Sequence, residues 1–158
     1  MRYLSEWLEA IPENVVINKV LTGCGATTLA IDQERDTIIA VPYTSLIINK
    51  TNQEKHKDVL LGLFGITPDN FMSEISTYLA SHQKLKIMTT YDSLPKVCSS
   101  LCQLGHNPYD TVHLVVDEGH LLFTSYGLRK DAVRGLLKEA KQFENVTYVS
   151  ATPITKEF

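Results

Sequence analysis

Val115 and Val116 run directly into Asp117, Glu118, Gly119 and His120. An apolar strand that ends in two adjacent carboxylates and a histidine brings hard oxygen ligands and a proton acceptor to one edge of a sheet. That set suits a divalent cation and an activated water: Asp117 holding Mg²⁺ through water, and Glu118 orienting and deprotonating the attacking water. The plainer alternative makes the two acids a solvated turn, with His120 packing or capping a helix. A valine pair leading straight into the acids weighs against it. Upstream, Thr22, Gly23, Cys24, Gly25, Ala26, Thr27 and Thr28 form a glycine-threonine turn. Gly23 and Gly25 let the backbone approach an anion without a Cβ in the way, and successive N–H groups make a concave anion site. Thr27 supplies a hydroxyl for Mg²⁺ and Thr28 extends the helix start. Ser150, Ala151 and Thr152 follow the last apolar run, where His120 could hydrogen-bond toward Ser150 or Thr152.

These groups need elements to position them. Leu4, Trp7, Leu8 and Ile11 form a helical stripe that stops at Pro12, and residues 14–21 read as a first strand. The glycine turn then opens a short helix near Thr27, the context an anion site requires. Residues 37–41 form a second strand, 45–49 a helix and 49–58 a polar surface connection. Residues 59–64 are a short third strand, and a helix runs from Pro68 through Tyr78. A strand at 85–89, a helix at 93–104 closed by Gly105, and a turn at 106–110 lead to the central strand at 111–116. Residues 129–142 are an amphipathic helix with Val133, Leu136, Leu137 and Ala140 on one side, and 146–149 is the last strand. Strands alternating with helices predict a three-layer α/β/α domain with a largely parallel sheet.

The chain has 158 residues and 44% hydrophobic content, enough for one domain, 1–158, around one sizeable core. There is no internal repeat, linker or low-complexity tract. A net charge of −3 excludes a generally basic nucleic-acid-binding surface and leaves room for a local basic strip. No run of about 18 apolar residues and no basic-then-apolar N-terminus occur, so the expectation is a cytoplasmic protein without a membrane span. Three cysteines, Cys24, Cys98 and Cys102, suit a reducing compartment. Cys98 and Cys102 share a helix face with Leu94, Val97 and Leu101 and read as small buried apolar residues, and no histidine cluster completes a structural zinc site. Cys24, next to a helix start, is expected to be the thiol open to alkylation.

Asp117-Glu118-Gly119-His120 resembles the D-E-x-H box of superfamily 2 helicases, and Ser150-Ala151-Thr152-Pro153 resembles their S-A-T motif. Val41-Pro42-Tyr43-Thr44-Ser45-Leu46 and Thr89-Thr90-Tyr91-Asp92-Ser93-Leu94 stand where that family has strand-to-helix motifs lining the nucleic-acid groove. The four motifs keep the family's order across nearly the whole chain. The resemblance implies a P-loop NTPase fold of the RecA-like type, with ATP and Mg²⁺ bound. It implies DNA or RNA as partner, and coupling of hydrolysis to nucleic-acid engagement through His120, Ser150 and Thr152. It also implies a second RecA-like lobe, in cis or in trans, with little turnover by this lobe alone. Pro42, Tyr43, Thr44, Ser45, Thr89, Thr90 and Tyr91 would then contact nucleic acid. Their hydroxyls and amides suit phosphate contacts, and the tyrosines suit base stacking or a core edge. Lys130, Arg134, Lys138 and Lys141 form a basic row that reads first as the solvated face of its helix.

Ala26 departs from the family, which has a lysine at that place. Without the ammonium the phosphates lose a charge-assisted donor, a loss of about 1.5–3 kcal/mol. Lys19, seven positions upstream, resembles the displaced lysine of some viral DNA-packaging motors, or else merely decorates a strand end. No glutamine upstream of the loop matches the adenine-reading motif of the D-E-A-D branch. Three functions therefore stand: an ATP-dependent helicase or translocase lobe, a catalytically degenerate lobe that docks nucleic acid or protein, and a packaging-type motor ATPase using Lys19.

Overall fold

The computed structural model describes residues 10–18, 26–65, 68–119 and 130–150. Six strands form one all-parallel sheet: β1 (Val16–Asn18), β2 (Thr37–Val41), β3 (Leu61–Leu63), β4 (Lys86–Thr90), β5 (His113–Val116) and β6 (Asn145–Ser150). Their spatial order is β1-β6-β5-β2-β4-β3, which puts β5 and β2 at the centre. The helices are α1 (Ala26–Asp32), α2 (Thr44–Thr51), α3 (Pro68–Ser81), α4 (Leu94–Gln103), α5 (Pro108–Thr111) and α6 (Lys130–Ala140).

Period-two alternation along the strands divides the core between two faces. Ile38, Ala40, Ile87, Leu114 and Val116 pack with Phe71 and Ile75 of α3, Leu94 and Val97 of α4, and Val133 and Leu136 of α6. Ile39, Val41, Met88, Val115 and Val149 pack with Leu29 and Ile31 of α1 and Ile47 of α2. The sheet is thus covered on both sides. Connections that step one way across it (β1 to β2, β2 to β3) carry α1 and α2 on one face. Those that step back carry α3, α4 and α6 on the other, as a single crossover handedness requires.

Most elements fall where the sequence places them, with differences at the ends. Gly105, at φ +85, closes α4 through His106 N–H donating to Leu101 O and Gly105 N–H to Cys102 O, a Schellman ending. The expected turn at 106–110 contains a one-turn helix, because Asn107 caps it by accepting from Tyr109 N and Pro108 fits its first turn. The polar stretch 49–58 continues α2 to Thr51 and then turns, burying His56. Cys98 is buried as expected; Cys102 is exposed, because α4 turns position 102 away from the face that carries Leu94, Val97 and Leu101. The N-terminal helical stripe lies outside the described residues. No helix among the described residues is long and apolar enough to cross a membrane, and none of their His, Cys, Asp and Glu side chains form a metal-holding group of three or more.

Candidate functional site

The C-terminal edge of a parallel sheet is where an open α/β fold can seat a ligand, since the strand ends leave a crevice there. Alternation along β5 sends His113 and Val115 to the face covered by α1, and Asp117 continues that parity. Thr27, in the first turn of α1, meets it: Thr27 Oγ1 donates to Asp117 Oδ2 at 3.1 Å across 90 residues of sequence. Asp117 is buried, and its backbone N–H extends the β5–β2 ladder by donating to Ala40 O at 2.9 Å.

The turn that follows is tightly specified. Glu118 has φ +56, a left-handed backbone rare for a residue with a Cβ, and its N–H donates to Asp117 Oδ1 at 3.0 Å. Gly119 N–H donates to Val149 O at 2.8 Å, which ties the turn to β6. Beside it Ser150, paired in register with Asn18 of β1, is buried at the end of β6. Tyr91 closes the turn from the other side. Its hydroxyl donates to Asp117 O at 2.5 Å and lies 3.3 Å from Glu118 O.

The Thr27–Asp117 pair fits a small hard cation. With its proton committed to the carboxylate, the Thr27 oxygen keeps its lone pairs for a metal, and the remaining carboxylate capacity can take a metal-bound water. Two oxygen side chains suffice for Mg²⁺, which keeps most of its waters or takes substrate phosphates. Ala26 is buried in the apolar cluster beneath α1. Lys19, Thr22, Gly23, Cys24, Gly25, His120 and Thr152 lie outside the described residues. Thr28 is half-buried on α1.

The two strand-to-helix segments converge. Pro42, Tyr43 and Thr44 after β2 face Thr90, Asp92, Ser93 and Lys96 around β4 and α4, and with Gly65 they line an open cleft of about 590 Å³. Tyr43 is exposed, Ser45 is exposed nearby, and Thr90 Oγ1 donates to Ser93 Oγ at 3.1 Å. Neither α2 nor α4 has its first turn capped by the side chain of its N-cap residue, Tyr43 or Ser93. Two expected contacts are corrected. Thr89 is fully buried, because alternation turns it to the face of Ile87 and away from the cleft. The ring of Tyr91 packs in the core with Leu94 and Val116, so it offers no face for a base. Asp92 and Ser93 belong to the strand-to-helix segment that the sequence marks, whereas Lys96 lies beyond it. Pro95, a first-turn proline, was the available signal, since it places Lys96 in the opening turn beside the same strand end.

A buried polar network lies at the opposite, N-terminal edge of the strands. Gln33 Nε2 donates to Thr37 Oγ1 at 2.8 Å and to His113 Nδ1 at 3.3 Å, and Gln33 Oε1 accepts from Ile11 N. With Nδ1 accepting, His113 Nε2 carries the proton and donates to Thr147 Oγ1 at 2.9 Å; Thr147 in turn donates to Pro12 O. Burial, with Arg35 and Lys86 nearby, lowers the His113 pKa to about 4. Lys86 Nζ donates to Gln33 O and Arg35 O, each at 2.6 Å, just past the C-terminus of α1. Burial lowers its pKa to about 8. An ammonium at that end complements the helix dipole and anchors the helix whose other end presents Thr27. The chain matches no family model and no curated protein.

Proposed function

We propose that the chain is a RecA-like P-loop NTPase lobe of superfamily 2 type, which couples ATP binding and hydrolysis to DNA or RNA remodelling together with a second lobe. The observation that carries this reading is the 3.1 Å hydrogen bond from Thr27 to Asp117. A hydroxyl at the start of the helix after a glycine turn and a carboxylate at the end of a central parallel strand are the two protein groups such a site uses to hold Mg²⁺. When bound, Mg²⁺ would neutralise charge on the phosphates. Asp117 fixes the Thr27 hydroxyl, and Glu118 stands next in the chain to accept a proton from water. The cleft between Tyr43 and Lys96 supports the nucleic-acid half: beside the Asp92 carboxylate it offers hydroxyls, one lysine and two helix starts, groups that hold a phosphate backbone without reading bases.

The test is Mg²⁺-dependent binding of a fluorescent ATP analogue. Wild type is expected to bind only with Mg²⁺, and Thr27→Val and Asp117→Asn to weaken binding roughly tenfold or more, since each removes a charge-assisted contact. Glu118→Gln should keep binding and lose turnover in the assembly with a second lobe. Binding indifferent to Mg²⁺ and to both substitutions would sink the reading. The buried methyl of Ala26 favours a second reading, a lobe that docks nucleic acid or protein without turnover. That reading predicts oligonucleotide binding with no nucleotide binding at saturating concentration, and Lys19→Ala then has no effect.

A further inference from the structure

We propose that Tyr91 is a positioning residue that ties the cleft to the acidic turn, so that a ligand seated between Tyr43 and Lys96 sets the conformation of Glu118. The proposal rests on the reading above only for the nature of the ligands.

Tyr91 belongs to both places at once. Its neighbours Thr90, Asp92 and Ser93 form one wall of the cleft, and its own N–H donates to Val41 O at 2.9 Å, at the root of the other wall formed by Pro42, Tyr43 and Thr44. The side chain runs the other way, through the core, to the carbonyls of Asp117 and Glu118. One phenolic proton faces two consecutive carbonyls, at 2.5 and 3.3 Å, and it can be fully donated to one of them only. Here it is committed to Asp117.

The element it controls is a turn held in an unfavourable backbone conformation. Glu118 sits at φ +56, where a residue with a Cβ is held by its surroundings rather than by its own preference. The contacts that hold the turn there include the Tyr91 hydroxyl, Glu118 N–H on Asp117 Oδ1, and Gly119 N–H on Val149 O. The Tyr91 side chain leads from them to the cleft wall at Thr90, Asp92 and Ser93. A ligand that displaces residues 90–93 moves the hydroxyl relative to the two carbonyls and biases the turn that carries Glu118. Because Asp117 also holds Thr27, the bias extends to the proposed nucleotide site, and by reciprocity nucleotide there must act back on the cleft.

Hydrogen exchange at the Glu118 and Gly119 amides reads the turn directly. Single-stranded 20-mers of dT and of U serve as cleft probes. In wild type the bound 20-mer is expected to change exchange at these two amides roughly fivefold or more. Tyr91→Phe, which keeps the ring, should still bind the 20-mer within about twofold while that change disappears. A second arm needs no ligand: Ser93→Ala removes the partner of the Thr90 hydroxyl and should alter exchange at 118 and 119 in wild type but not in Tyr91→Phe. If neither 20-mer binds and the second arm holds, the positioning role stands and the nucleic-acid reading falls. Oligonucleotide binding that leaves the two amides unchanged overturns the proposal. So does a Ser93→Ala effect that is absent in wild type or survives Tyr91→Phe. If Tyr91→Phe does not fold, absence of a Ser93→Ala effect in wild type still overturns the proposal.

Discussion

Glu118 is the residue whose backbone works against its side chain. A left-handed conformation costs a residue with a Cβ about 1 kcal/mol or more, which glycine avoids. Glu118→Gly and Glu118→Ala both remove the carboxylate, so their difference isolates the backbone. The glycine variant should be about 1 kcal/mol more stable than the alanine variant in chemical denaturation. Equal stability would mean the turn is unstrained. Neighbouring Gly119 has no such requirement, since a Cβ there would sit 3.5 Å from its closest neighbours. At the other edge of the sheet, His113 is held neutral by its burial, with Arg35 and Lys86 nearby. Its folded pKa, about 4, lies below the ordinary value of 6.5, so between those values the unfolded chain binds more protons than the folded one. Stability should therefore be full above pH 6.5 and fall by about 3 kcal/mol as pH drops to 4. His113→Gln should flatten that part of the pH profile.

Among the elements, α2 and β3 meet most closely at a glycine. A Cβ on Gly62 would stand 2.6 Å from Ile47 Cγ2, and Ile47 is a buried β-branched side chain that cannot swing away. Gly62→Ala should cost about 1–3 kcal/mol by overpacking, measured by thermal or chemical unfolding; a neutral result would show that β3, at the sheet edge, yields. The sequence indicated this glycine only as part of a short apolar run. It could not indicate the contact, because the two sides come together only after the chain crosses from β2 to the far edge. Helix α1 shows the same dependence. Its start was legible from the glycine turn and Thr27, whereas the Lys86 ammonium that braces its C-terminal end comes from the first residue of β4.

For the whole molecule, the sheet order sets a gradient of local stability. β2 and β5 are central and flanked on both sides, while β1 and β3 are edges of three residues each. Backbone amides of β2, β5 and β4 should be the slowest to exchange, those of β1 and β3 the fastest among the strands. Uniform protection across all six would contradict the order. The two faces of the sheet are unequal as well. The α3–α4–α6 face carries the larger apolar cluster, while the α1–α2 face holds the polar network, its residues Thr37, Lys86, His113 and Thr147 all lying on that face by strand parity.

Alternating strands and helices in the sequence determined an α/β domain with a parallel sheet, and the valine pair before Asp117 determined that the acids stand at a strand end. Those features depend on periodicity and on neighbours in the chain, so composition and spacing reveal them. Only the tertiary structure decided that Thr27 meets Asp117, that Tyr91 turns inward to hold the acidic turn, that Thr89 leaves the cleft, and that Lys96 enters it. Each of these depends on which strand lies beside which and on the parity with which it arrives. A shift of one residue in that parity sends a side chain to the opposite face, and no local pattern records the choice.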